Sequence, residues 1–338
     1  MIEIDGSYGE GGGQIIRTSV ALSALTKKPV RIYNIRANRK PNGLRPQHLT
    51  AVKAVADICN AKLKGAEVGS TEIIFEPDNI EGGSFSWDIG TAGSITLVLQ
   101  ALLPAAIFSK KEFTFDVIGG TNVTMCPPIE YLQHIFCDYL EKMGAKLKLE
   151  ISKYGFYPKG GGRVKLRIQP AELHKIKILE RGKLLKTDVW SVASKELQKA
   201  QVAERQVKGF KHGFGETKYD KIHEDYVDTF SIGSSIHAHN HYENCKLGAE
   251  SLGKLGKPAE KVGEECAKKL LAEIDSESTL DSHMTDQIIP YIGMLGGEFR
   301  ADETSSHTKT NIWVSEQFLP VLFVIKEGIL TCKNLSKN

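Results

Sequence analysis

The sequence predicts an α/β (α+β) fold built from three repeated units, each with helices packed on a four-stranded sheet, plus a small inserted α/β domain. Three observations predict it. A strand–helix–strand–helix order recurs along the chain. Glycine turns (Gly11-Gly12-Gly13, Gly90 to Gly93, Gly119-Gly120) stand where strand patterns give way to helix patterns. From about Leu184 to Ile274 the chain becomes more charged and Lys-rich, and the repeat is interrupted. The expected division is a large domain of residues 1–183 and 275–338 and an inserted domain of residues 184–274.

In the first unit, Ile2 to Ile4 reads as a strand, Gln14 to Leu25 as a helix and Val30 to Ile35 as an alternating strand. Pro46 to Asn60 reads as a helix with Leu49, Val52, Ala56 and Cys59 on one face, and Glu72 to Phe75 as a strand. The second unit repeats the order with strand Phe85 to Ile89, helix Ser94 to Ile107, strand Phe113 to Ile118 and helix Ile129 to Met143. Strands Lys146 to Ile151 and Arg163 to Ile168 close it. A less complete third copy holds helix Asp286 to Leu295, strand Glu298 to Ala301, a short helix around Asn311 to Phe318 and strand Val321 to Ile325. Within the insert, Glu196 to Lys208 and Lys261 to Glu273 read as helices, Asp228 to His237 as a strand, and His212 to Tyr226 as a surface loop.

Composition narrows the function classes. The apolar and charged fractions, 41% and 25%, are those of a globular protein in water. No apolar run reaches the roughly 20 residues that span a bilayer; the longest, Ile95 to Phe108, is broken by Thr96, Gln100 and Pro104. The acidic, strand-like start shows no signal peptide, so the expected location is cytoplasmic. Six scattered cysteines without paired spacing indicate neither a disulfide framework nor a zinc site, and Cys59 and Cys137 read as core residues. A net charge of +3 does not by itself indicate a nucleic-acid partner. However, Arg31, Arg36, Arg39, Lys40 and Arg45 fall together with no acid among them, which suits an anion-binding wall.

Five stretches are candidates for chemistry. In Tyr154-Gly155-Phe156-Tyr157-Pro158-Lys159-Gly160-Gly161-Gly162, a glycine triplet before a strand implies a tight backbone requirement, and the aromatics argue against a solvated linker. No helix follows, so the triplet offers no dipole to an anion. Tyr8 to Arg17 carries a glycine loop that opens a helix, a nest suited to phosphate, yet it matches neither a P-loop nor a dinucleotide fingerprint. Glu10 inside it would repel phosphate unless a divalent cation, Mg²⁺ or Mn²⁺, bridges them. Gly90-Thr91-Ala92-Gly93-Ser94 is a second such turn. In Ser305-Ser306-His307-Thr308-Lys309-Thr310-Asn311, a loop histidine among small hydroxyl residues can serve as a nucleophile toward phosphoryl groups, with Asp286-Gln287 orienting the ring or binding ribose. Finally, His237, His239 and His241 share one strand face. Three imidazoles there could meet a metal, but no nearby cysteine or carboxylate pattern supports it.

Taken in order, these residues resemble the RNA 3′-terminal phosphate cyclase family, nearly end to end. The resemblance rests on Gly9-Glu10-Gly11-Gly12-Gly13-Gln14, Ile35-Arg36-Ala37, Gln47-His48-Leu49-Thr50, Gly90 to Ser94, Gly119-Gly120-Thr121 and Pro127-Pro128. It continues with Gly155-Phe156-Tyr157-Pro158 and its triplet, Asp286-Gln287, Ser306-His307 and Thr310-Asn311. Tyr154 departs from the family, which usually has Arg or His there. The resemblance implies repeats similar to the C-terminal domain of translation initiation factor 3. It also implies a reaction: an RNA 3′-terminal phosphate and ATP give a 2′,3′-cyclic phosphodiester, AMP and pyrophosphate, through a covalent histidine–AMP and an RNA(3′)pp(5′)A intermediate. By the same resemblance His307 is catalytic and Glu10 holds Mg²⁺ or Mn²⁺. ATP or RNA phosphate is met by Glu10, Gln14, Arg17, Arg36, Arg39, Gln47, His48, Gln100, Pro128, His283, Asp286 and Gln287, with Gln100 and Pro128 around the adenine. The expected partners are ATP and RNA bearing a 3′-terminal phosphate, with no membrane; the sequence indicates no oligomeric state. The main alternative is a non-catalytic relative in ribosome assembly that lacks the histidine. An enolpyruvyl transferase of similar repeats and a general RNA-binding protein fit the motifs less well.

Overall fold

A computed structural model of the chain describes residues 1–302 and 304–335. The first unit comprises β1 (Ile2–Asp5), α1 (Gly13–Thr26), β2 (Val30–Tyr33), α2 (Pro46–Ile58), β3 (Lys62–Lys64) and β4 (Ile73–Glu76). The sheet order is β1-β2-β4-β3, with β1 and β2 parallel and the other pairs antiparallel. The second unit comprises β5 (Gly83–Asp88), α3 (Ile95–Phe108), β6 (Phe113–Gly119), α4 (Ile129–Tyr131), a π-helical turn Leu132–Phe136, α5 (Cys137–Lys142), β7 (Lys146–Lys153) and β8 (Gly162–Gln169). Its order, β5-β6-β8-β7, and its single parallel pair reproduce the first.

The third unit opens with β9 (Ile176–Ile178) and is then interrupted. The chain forms β10 (Leu184–Ser194), a 3₁₀ turn Lys195–Ala200, α6 (Val202–Phe214), β11 (Tyr219–Val227), β12 (Ser234–Tyr242), β13 (Lys246–Leu252) and α7 (Ala259–Asp275). These strands make a separate sheet, β11-β10-β12-β13. The third unit resumes with α8 (Ser282–Gln287), α9 (Ile289–Leu295), β14 (Gly297–Arg300), α10 (Ser306–Phe318), β15 (Val321–Lys326) and β16 (Ile329–Asn334). Its sheet, β15-β16-β14-β9, repeats the topology again, with β9 and β14 parallel. The expected fold class therefore holds.

Several local expectations are corrected. Residues 219–226, read as part of a surface loop, belong to β11, whose alternation is hidden because its side chains are mostly exposed. The strand expected at 228–237 is β12, shifted to 234–242. Five further strands had not been anticipated: β3 and β9 are three residues long, and β10, β13 and β16 lack a simple alternation of burial along their length or sit among polar residues. The helix expected at 311–318 begins five residues earlier, so His307 lies in the first turn of α10 and not on a loop.

One apolar core runs through the three units. It is fed by most positions of α3 and by Ile15, Ile16, Val20, Leu22 and Ala24 of α1; both helices are covered by neighbouring helices as well as by their sheets. The fourth sheet has two different faces. Val189, Ile236, Ala238, Leu247 and Ala249 form a second core with α6 and α7. Those helices touch at Gly209 and Gly263; a Cβ on Gly263 would stand 1.9 Å from the carbonyl oxygen of Gln206. The other face carries histidines and meets the helical run 129–142. There the Tyr139 hydroxyl donates to the carbonyl of Lys246 (2.9 Å), and Lys246 donates to Asp138 (2.6 Å) and to the carbonyl of His134 (3.0 Å). No helix among the described residues is long and apolar enough to cross a membrane.

The glycine triplet is a backbone constraint, as expected. Gly160 and Gly161 have φ of +68° and +71°, and a Cβ on Gly160 would lie 2.8 Å from the Cα of Ala92. The loop thereby seats against the Gly90–Gly93 turn. Phe156 is buried, whereas Tyr157 projects into solvent. Replacing Gly160 by Ala combines a left-handed φ with a clash against backbone, and the expected loss is about 2–4 kcal/mol. Gly256→Ala, at φ +81° with open space around it, should lose only about 1 kcal/mol of strain. Urea unfolding of the two variants checks this; equal midpoints would contradict it.

Candidate active site

The side chains that converge do so because α10 lies on α1. Ser305 caps α10, its hydroxyl accepting from the Thr308 amide at 3.0 Å. Gln14 of α1 donates to the carbonyl of His307 (2.9 Å), and Thr18 donates to Asn311 (2.8 Å). Asn311 in turn donates to the carbonyl of Asp286 at the end of α8 (2.8 Å). The loop before α1 is pinned to α10 by Tyr8 stacked on Trp313, with centroids 4.0 Å apart. His307 is thus held from two sides.

Between α1, α3, β13, α8 and α10 lies a cavity of about 470 Å³, within the size range of small-molecule sites. Of the expected residues, Gln14, Arg17, Gln100, His283, Asp286, Gln287 and His307 line it. Four buried polar atoms on its wall have no partner among the described residues: Gln100 Nε2, Gln287 Oε1, Glu250 Oε2 and the Tyr291 hydroxyl. Buried polar groups are rarely left unpaired, so these atoms point to a bound polar molecule or water.

Glu10 sits beside the nucleophile candidate. Its Oε2 lies 3.0 Å from His307 Nδ1 and 3.3 Å from Arg39 Nη2, and its other oxygen accepts from the Ser306 hydroxyl. A carboxylate facing Nδ1 favours the tautomer with the proton there, leaving the Nε2 lone pair free. Burial lowers the His307 pKa, and Arg17, Arg39 and His283 lower it further against the opposing pull of Glu10, so the imidazole favours its neutral form.

Around it the charges are strongly coupled. Burial brings Arg17 down to about 10, with Asp286 opposing. Burial lifts Asp286 to about 7 despite His283 and Arg17. Burial disfavours the His283 cation, but the hydrogen bond and charge of Glu250 outweigh it and raise that imidazole to about 9. Glu250, whose burial works the other way, is brought down to about 2 by His283 and Lys269. His283 and Glu250 therefore form an ion pair, 3.3 Å apart, between α8 and β13. The site as a whole is a cationic, partly desolvated pocket suited to phosphate.

Other expected residues lie next to the cavity without lining it. His48 is buried against Gly13 and near Arg17; burial first, and then Arg17, Arg36 and Arg45, bring it down to about 3. Gln47 accepts from the Ser94 amide (3.0 Å) and so ties α2 to the start of α3. Arg36 donates to the carbonyls of Pro41 and Gly43, bracing its own loop. Pro127, not Pro128, lines the cavity, because Pro128 is taken up as the cap of α4. Arg31 is turned away, paired with Glu72 (2.8 Å) and Glu3 (3.1 Å) on the first sheet.

The sequence reading missed Glu250, Lys257, Glu265 and Lys269, which bring β13 and the segment around α7 to the cavity wall. Only the Lys-rich character of the segment hinted at them. For a divalent cation, Glu10 fits in kind, since one carboxylate plus substrate phosphates is a common Mg²⁺ donor set; a cation there exchanges for the present donors.

A family model described as RNA 3′-terminal phosphate cyclase matches residues 8–325. A protein of that name from Pyrococcus furiosus is 45% identical over 333 residues, covering 97% of this chain and 96% of the relative. Those from Ignicoccus hospitalis and Thermococcus kodakarensis are each 46% identical, over 98% and 96% of this chain and 96% and 94% of theirs. This near full-length likeness settles the family: the chain belongs to the RNA 3′-terminal phosphate cyclase family.

Proposed function

We propose that this chain converts an RNA 3′-terminal phosphate to a 2′,3′-cyclic phosphodiester at the expense of ATP, with His307 as the covalent nucleophile. The observation that carries this reading is His307 itself: a half-buried imidazole at the cavity wall, its Nδ1 facing Glu10 and its pKa depressed. A phosphomonoester offers no leaving group to a vicinal 2′-hydroxyl, so it must be activated. Nε2 of His307 attacks the α-phosphorus of ATP; a P–N bond forms and the P–O bond to pyrophosphate breaks. The ring, protonated on Nδ1, is then cationic and is stabilised by Glu10. An oxygen of the RNA 3′-phosphate next displaces the imidazole, giving RNA(3′)pp(5′)A. The terminal 2′-hydroxyl, losing its proton, closes on the 3′-phosphorus and expels AMP.

The other residues fit supporting parts. Arg17, buried beside the cavity, neutralises phosphate in a low-dielectric setting, where such stabilisation is strongest. Gln100 and Gln287 have free hydrogen-bonding atoms for base and ribose. Glu10 would hold Mg²⁺ or Mn²⁺, whose contribution is charge neutralisation on the triphosphate. Residues 184–274 read as an inserted domain whose β13 and α7 supply one wall. The cytoplasm, which holds both ATP and RNA, is the fitting location.

Incubation with α-labelled ATP and Mg²⁺ followed by denaturation should leave an acid-labile, alkali-stable label on the protein. His307→Ala should lose it completely with an unchanged circular dichroism spectrum. Absence of label on wild-type protein that still binds ATP would overturn the mechanism. The imidazole can be read separately. By NMR in metal-free buffer His307 should titrate below 6.5, the ordinary value, so that it is mostly neutral at pH 7. Glu10→Gln removes an anion that favours the imidazolium and should move the midpoint lower; Arg39→Ala removes a repelling cation and should move it higher. A wild-type midpoint above 6.5 contradicts the reading.

A further inference from the structure

Outside the cavity, the histidine-bearing face of the fourth sheet gathers a second set of ligand-type atoms. In the antiparallel pairing of β10 with β12, Asp188 stands opposite His239, and Lys186 opposite His241. The Nε2 atoms of His239 and His241 are 2.8 Å apart. His241 Nε2 is 2.8 Å from Asp188 Oδ2, and His239 Nε2 is 3.9 Å from the same oxygen. Three atoms so spaced lie on a circle of radius about 2 Å, the length of a bond from nitrogen or oxygen to a first-row metal ion. As hydrogen bonds alone the arrangement is poor. The single ring position on His241 faces a carboxylate and another imidazole nitrogen at once, and one proton must serve both.

We propose that Asp188, His239 and His241 bind a divalent first-row transition metal ion, in a site separate from the His307 cavity. A cation at the centre gives all three atoms a partner. The surroundings are those of a metal site as well. His239 Nδ1 lies 3.1 Å from His237 Nε2, so Nδ1 has a partner for its proton when Nε2 is given to the ion. The second oxygen of Asp188 accepts from the Lys221 amide at 3.0 Å, which fixes the carboxylate. Trp190 stacks on His239 at 5.0 Å, and His134 packs against both rings, 4.2 Å from Trp190 and 5.9 Å from His239.

Asp188 and His239 are almost wholly buried, whereas the side chain of His241 is 18% exposed and gives the ion a way in. The nearby cations are already engaged: Lys186, 3.7 Å from Asp188, pairs with Asp220, and Lys246 pairs with Asp138. His239 and Asp188 stand nearly opposite each other across the centre, with His241 at a right angle. That T-shaped set suits ions of tetragonal or octahedral habit, Cu²⁺ or Ni²⁺ with water in the remaining positions; tetrahedral Zn²⁺ requires the ligands to spread. The separation in sequence of Asp188 from the histidines explains why the strand motif showed no carboxylate.

The test uses tag-free, full-length protein in excess Mg²⁺, which occupies oxygen-rich sites. Ni²⁺, Cu²⁺ and Zn²⁺ are added in turn, and bound metal is measured by elemental analysis after gel filtration and by competition with a chromophoric chelator. One equivalent is expected on the wild type and on His307→Ala, with an affinity loss of about 100-fold or more in His241→Ala and Asp188→Asn. Matching unfolding midpoints in chelator show that the variants fold. Bound Co²⁺ should give visible ligand-field bands that His241→Ala abolishes. No uptake by wild-type protein, or uptake that His241→Ala leaves unchanged, overturns the proposal.

Discussion

The docking of α10 on α1 is the contact on which the rest of the site depends. Two buried or half-buried hydrogen bonds, Gln14 to the His307 carbonyl and Thr18 to Asn311, join residues 293 positions apart. They bring the end of the chain to its beginning and set the histidine over the glycine loop. Without them Glu10, Arg39 and His307 would share no space, and the cavity would lose a wall. Each hydrogen bond is worth only about 1 kcal/mol net. Their importance is geometric: they fix the helix in rotation and in register against an apolar interface that alone would tolerate sliding.

The repeat explains why the site is assembled from distant segments. Three units of the same topology each offer helix starts, those of α1 and α3 beside glycine turns, and packing the units around one core brings these starts toward each other. The site draws on α1 of the first unit, α3 of the second, and α8 and α10 of the third, then closes with β13 from the extra sheet. Charge is distributed in the same way: the cations Arg17 and His283 and the acids Asp286 and Glu250 come from three separate elements, α1, α8 and β13. A pocket of this kind has a strong internal field that no single stretch of sequence displays.

Much of the frame was legible beforehand, and the failures have physical causes. Helices α1, α2, α3 and the run 129–142 were read nearly to their ends, α2 from an apolar face and α3 from a mostly apolar run. The short strands β3 and β9 hold too few residues for any period to register, and β11 is solvated along most of its length, so nothing in its pattern resembles a buried strand. His307 was read on a loop because its neighbours are small and polar; those same hydroxyls serve as the cap of α10. The motif residues lining the cavity were identifiable in sequence, but Glu250 was not, since its meaning lies in a partner, His283, on another element. Gln47 and Arg36 belonged to matching motifs, yet their side chains brace backbone next to the pocket and do not enter it.

The point at which the chain leaves the third unit has a consequence for how the molecule is made. β9 has only β14 as its partner, in a parallel pairing that matches Ile176 with Gly297, and the whole of the fourth sheet is synthesised between them. As the chain emerges from the ribosome, the first two units and then the extra sheet can complete themselves. β9 must wait, an unpaired edge of a few residues, until the last tenth or so of the polypeptide arrives. Closing so long a loop is slow but costs little more than closing a shorter one. His307 follows β14 in the chain, so its imidazole takes its place only after the other walls of the pocket have been made.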